Sequence, residues 1–115
     1  MPPREWRLRV EDILEAIARI ERYVEGLTFE QFQADRKTVD AVIRNLEVIG
    51  EAVRHLVTHR ENLPAGIPWA DIAGMRNVLI HAYFGVDLEI IWHTIVKDLS
   101  ELRVQLQKLA SSDEG

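Results

Sequence analysis

Within eight residues, Arg76-Asn77-Val78-Leu79-Ile80-His81-Ala82-Tyr83 gathers an arginine, a histidine and a tyrosine that could act on a phosphodiester. Histidine titrates near neutrality and can shuttle protons. Arginine keeps its charge and offers a planar fork matched to phosphate oxygens, so it can stabilise charge that grows as phosphorus is attacked. Together they suit RNA cleavage through the 2′-hydroxyl, a scheme that requires no metal. The same pair at a helix end could instead be an ion-pair partner and a C-terminal cap, because helix C-termini favour cations. Spacing alone leaves both readings open.

A five-residue step turns a helix by 500°, which places His81 roughly 140° around from Arg76. Either the helix breaks near His81 or a second copy of the chain completes the site. Arg76 and Tyr83, seven residues apart, would share a face if the helix continued.

The elements that must position these residues are helices. Trp6, Val10, Ile13, Ile17, Ile20, Val24 and Leu27 form one stripe at alternating steps of four and three. Thr28 and Gln31 make a capping-box pattern that starts a short helix through Phe29 and Phe32. A second long stripe runs Val39, Val42, Leu46, Ile49, Val53 and Leu56, entered at Asp35 or at Lys37-Thr38. The Pro- and Gly-rich stretch from Asn62 to Pro68 reads as a loop, with Pro68 suited to a first helical turn. A shorter helix carries Trp69, Ile72, Met75 and Leu79 and should end around Tyr83, since Gly85 follows and Asp87 can cap the next helix. The last stripe is Leu88, Trp92, Ile95, Leu99, Leu102, Leu106 and Leu109. The expectation is an all-α, up-and-down bundle of four main helices plus a short connecting helix, one domain over 1–110, with 111–115 fraying as a polar tail. Extra apolar residues beside the stripes, Leu14, Ile43, Val48, Ile90 and Ile91, suit a broad buried face and a dimer contact.

A chain of 115 residues with 47% hydrophobic and 29% charged residues is an ordinary globular composition with room for one core. The absence of cysteine excludes disulfides and thiolate chemistry. The N-terminus passes directly into charged amphipathic sequence, so a signal peptide or membrane span is not expected and a cytoplasmic location is. A net charge of -5 argues against broad electrostatic wrapping of nucleic acid; RNA would need a local cationic site, with weak and salt-sensitive binding.

Arg76-Asn77 followed by His81 resembles the Arg, four to six residues, His signature of HEPN domains, and Tyr83 two residues beyond resembles the HepT subfamily of bacterial toxins. The likeness continues through Asp12-Ile13-Leu14-Glu15-Ala16-Ile17, Asp35-Arg36-Lys37-Thr38, Arg44-Asn45-Leu46-Glu47-Val48-Ile49-Gly50-Glu51-Ala52, Ile67-Pro68-Trp69 and Phe84-Gly85-Val86-Asp87. The resemblance implies a homodimeric HEPN-like ribonuclease toxin that cleaves RNA without metal or cofactor, with Arg76 and His81 catalytic and Asn77 supporting them. It also implies a cognate minimal nucleotidyltransferase as antitoxin, transferring AMP to Tyr83. Negative charge and bulk placed there would block the phosphate site. The alternative is a non-catalytic nucleotide- or RNA-binding helical dimer that serves as a scaffold.

Asn45 and Glu51, close to the second stripe, could hydrogen-bond near the motif without touching substrate. Glu47, Glu51, His55 and His59, each four apart, form a drifting row of conceivable metal ligands. That row lacks the paired Glu-x-x-His elements of di-iron bundles, so surface charges are the simpler reading and no metal is expected. Arg7, Arg9, Arg36-Lys37 and Arg54-His55 with His59-Arg60 could guide RNA or merely be solvated. Trp69 and Trp92 should fill core or anchor a dimer contact.

Overall fold

A computed structural model of the chain describes residues 4–59, 67–74 and 87–114. Among these, helices α1 (Arg4–Val24), α2 (Phe29–Ala34), α3 (Arg36–His59) and α4 (Trp69–Ala73) precede one continuous helical rod. The rod consists of α5 (Leu88–His93), a π-helical turn (Thr94–Asp98) and α6 (Leu99–Glu114). There is no strand among the described residues, in agreement with the all-α bundle expected.

The α1 stripe is core: Val10, Ile13, Ile17 and Ile20 are at most 2% exposed. Val24 packs beside them. Gly26 then takes φ +77°, a left-handed conformation that costs glycine little, and Leu27 N–H closes on Val24 O at 2.9 Å. The capping box forms as read: Gln31 N–H donates to Thr28 Oγ1 at 3.2 Å while Thr28 N–H donates to Gln31 Oε1 at 2.9 Å. Of the two possible entries to α3, Asp35 is the one used. Its Oδ1 accepts from Thr38 N–H at 3.1 Å and its Oδ2 from the Thr38 hydroxyl at 2.7 Å.

α3 lies against α1 and buries Val39, Val42, Ile43, Leu46, Ile49, Ala52, Val53 and Leu56. Each such aliphatic side chain contributes about 1.5–3 kcal/mol relative to exposure, which outweighs any surface ion pair in this fold. Much of the expected surplus width is absorbed here: Ile43 and Ile91 are buried, Leu14 and Val48 are partly covered, and Ile90 remains 47% exposed. Trp92 is half-buried and fills core between α5 and α2, with ring centroids 5.2 Å from Phe32 and 6.1 Å from Phe29.

The π-turn adjusts a register that the regular four-three reading did not contain. Ile91, Ile95 and Leu99 are each four apart and all buried. On a plain α-helix two such steps drift about 80° around the axis. The wider turn removes that drift, so Ile91 rather than Leu88 or Trp92 leads the buried face into Leu102, Leu106 and Leu109. α6 keeps helical backbone as far as Glu114, where fraying was expected after Ala110. Pro68 sits one residue before α4 rather than in its first turn. Among the described residues no helix is long and apolar enough to cross a membrane.

Candidate active site

α4 is the element that leads into the motif. Its backbone starts with Trp69 N–H on Ile67 O at 2.8 Å and Ile72 N–H on Pro68 O at 3.0 Å. Ile67 and Ile72 are buried, and Trp69 and Ala73 pack against the same core. Gly74 is the C-cap that closes α4, and its N–H donates to Ala70 O at 2.9 Å. α4 rests on α3 where side-chain volume is least: a Cβ built on Gly50 would lie 3.6 Å from Ile72 O. On the far side of the motif, Asp87 precedes α5 and its carbonyl accepts from Ile91 N–H at 3.4 Å.

Arg76, Asn77, His81 and Tyr83 lie outside the described residues, as do Met75 and Leu79. What the structure describes is the frame on either side of them.

Asn45 and Glu51, paired in the sequence reading, have opposite surroundings. Asn45 is 8% exposed, the one polar residue buried among the described residues, and its Nδ2 donates to Ala41 O at 2.9 Å. Glu51 is exposed. Six residues turn a helix by roughly 240°, so the two face different surroundings.

The row of conceivable metal ligands has described side chains as far as His55. Among the described residues no three His, Asp or Glu side chains are grouped to hold an ion; the side chain of His59 lies outside them. Glu47 instead meets Arg44 at 3.7 Å, and Arg36 meets Asp40 at 3.1 Å. Both pairs are exposed and follow the surface-charge reading. Lys37 and Arg54 are also exposed, and Arg7 is half-buried.

One ion pair has no counterpart in the sequence reading. Arg103 of α6 donates through Nη1 to both Glu21 oxygens on α1, at 2.6 and 2.7 Å. Partners 82 residues apart leave no periodic trace.

Residues 13–109 match the family model described as ribonuclease HepT-like. The chain belongs to the HepT-like ribonuclease family. It is 46% identical to the "Probable ribonuclease HepT" of Thermococcus cleftensis over 100 residues, 87% of this chain and 91% of that one. It is 40% identical over 105 residues to a protein of Caldanaerobacter subterraneus subsp. tengcongensis whose name includes RNase, covering 91% and 94% of the two chains. A Methanocaldococcus jannaschii protein, also with RNase in its name, is 39% identical over 119 residues, covering 100% and 98%. No solved structure matches. The all-α bundle is the HEPN-like fold that such a chain should have.

Proposed function

We propose that the chain is a metal-independent endoribonuclease toxin in which Arg76 holds the scissile phosphate and His81 moves the protons. The observation that carries this reading is family membership over residues 13–109, a span that contains the intact Arg76-Asn77 and His81 pattern. The chemistry is self-consistent. A neutral imidazole takes the 2′-hydroxyl proton as that oxygen attacks phosphorus. The P–O5′ bond then breaks, and a proton returned to the 5′ oxygen completes the step. Arginine stabilises the charge that collects on the non-bridging oxygens. Asn77 supports the pair.

The site is shared in this reading. Because Arg76 and His81 are about 140° apart on a continuous helix, a homodimer would bring the arginine of one copy to the histidine of the other. Tyr83 is the proposed AMP acceptor for a cognate nucleotidyltransferase antitoxin, and the setting is the cytoplasm. The reading is tested by RNA cleavage in chelator, comparing wild type with Arg76→Ala and His81→Ala. RNA binding without cleavage would favour the scaffold alternative.

A further inference from the structure

The last helical rod carries apolar residues for two registers, and a single turn decides between them. In the described register Leu99 N–H donates to Thr94 O, five residues back, and so closes the π-turn. Such a turn takes in one more residue than an α-turn, which sets the segment before it round by about 100°, the rotation of one residue. Ile91, 1% exposed, then stands in line with Ile95 and Leu99, while Leu88 and Trp92 stay half-buried at its side. Without the wide turn the same residues still make an unbroken face. On a plain α-helix Leu88, Trp92, Ile95, Leu99, Leu102 and Leu106 fall within about 80° of arc, with Leu88 and Trp92 each about 20° from Leu99.

Trp92 holds the described register. Its ring centroid lies 5.2 Å from that of Phe32, which is fully buried, and 6.1 Å from that of Phe29. Turning Leu88–His93 back by about 100° would take the indole off both α2 rings and bring it, with Leu88, onto the side of Leu99. The exchange is of aromatic contacts for an aliphatic seam. The backbone ladder loses nothing by it: Leu99 N–H passes from Thr94 O to Ile95 O, its ordinary α-helical acceptor, and Asp98 N–H takes up Thr94 O. Val96, Lys97 and Asp98 of the turn are exposed, so none of them leaves or enters the core when it tightens. Each register thus buries an apolar face and completes the ladder, which is the condition for an element with two discrete packings.

We propose that the rod is a two-register switch: Leu88–His93 turns between the π register, latched by Trp92 on Phe29 and Phe32, and a plain α register in which Leu88 and Trp92 join the face of Leu99, Leu102 and Leu106. Asp87 heads the rod, and the same rotation re-aims it. Whatever favours Trp92 on α2 favours the π register.

The chain has no cysteine, so spin labels can be placed at will. The test is the distance from a label at Glu89→Cys to one at Ala18→Cys on α1, and in a second chain to one at Arg44→Cys on α3, all exposed positions. Full-length labelled chain is diluted with unlabelled chain so that only distances within one copy are read. A rotation of about 100° moves a point on the helix surface by about 8 Å. The otherwise unaltered chain should be dominated by one distance from each reference label. Phe29→Ala and Trp92→Leu unlatch the rod from opposite sides, and each should raise a second distance by roughly twofold to tenfold while helix content stays unchanged. Deletion of Val96 takes out the extra residue, so that the present phase becomes that of a plain α-helix, and the second distance should vanish even in the Phe29→Ala chain. One unchanged distance in both unlatched chains overturns the proposal. A second distance that survives deletion of Val96 overturns it too, as does a broad spread accompanied by loss of helix, which would be local unfolding. If Phe29→Ala fails to fold, Trp92→Leu decides on the same terms.

Discussion

Arg103 Nη1 sits between the two carboxylate oxygens of Glu21, at 2.6 and 2.7 Å, and so ties the last helix to the first across 82 residues. The side chains are 39% and 31% exposed, so water still screens them and the pair stabilises less than a buried one would. Glu21→Gln should cost roughly 0.5–1 kcal/mol, with the loss shrinking at high salt. Urea unfolding at two ionic strengths measures both; an unchanged midpoint at low salt would show that the pair contributes nothing.

The α3–α4 contact makes a two-sided prediction at Gly50. A methyl group there meets Ile72 O at an ordinary 3.6 Å, so Gly50→Ala should stabilise the chain by up to about 1 kcal/mol through helix propensity. Gly50→Leu has no space beyond Cβ on that side. It should push α4 away and cost about 1–3 kcal/mol. Equal unfolding midpoints for both variants would mean that α4 does not rest on this glycine.

Asp35 gives the fold a pH dependence of known sign. The Thr38 hydroxyl and the Thr38 N–H hold its carboxyl below the ordinary value, although Asp35 is exposed. A carboxylate with a depressed folded pKa stabilises above its unfolded pKa, about pH 4, and loses that contribution as pH falls through the lower folded value. Asp35→Asn should therefore narrow the stability gap between pH 6 and pH 3. Parallel stability curves for the variant and wild type across that range would contradict the cap.

Most of this scaffold is legible from periodicity. Ile13, Ile17, Ile20, Val42, Leu46 and Ile49 were placed on buried faces by their spacing and are buried. The Thr28 and Gln31 capping box was legible because its partners are three residues apart. What sequence could not show depends on separation or on a local departure from the α-helical period. The Arg103 and Glu21 pair is of the first kind, and the π-turn that brings Ile91, Ile95 and Leu99 onto one face is of the second. Asn45 was legible as a polar residue near the stripe. Its burial was not, because that depends on what packs around α3. The catalytic assignments to Arg76 and His81 come from motif and family, and the described geometry supplies the frame on either side of them.

If Tyr83 is the switch, co-expression with the cognate nucleotidyltransferase should yield a chain whose Tyr83 peptide carries AMP and which no longer cuts RNA. Tyr83→Phe should still cut but escape silencing. Full silencing of Tyr83→Phe would remove the tyrosine from the regulatory scheme.

The central claim is most directly tested by the initial rate of RNA cleavage by the purified chain in excess EDTA, beside His81→Ala prepared identically. Wild type should cleave at a rate that EDTA leaves unchanged, and His81→Ala should be slower by about 100-fold to 10,000-fold, the usual contribution of a positioned acid–base group. A wild-type rate that vanishes with EDTA, or one that His81→Ala matches, would contradict it.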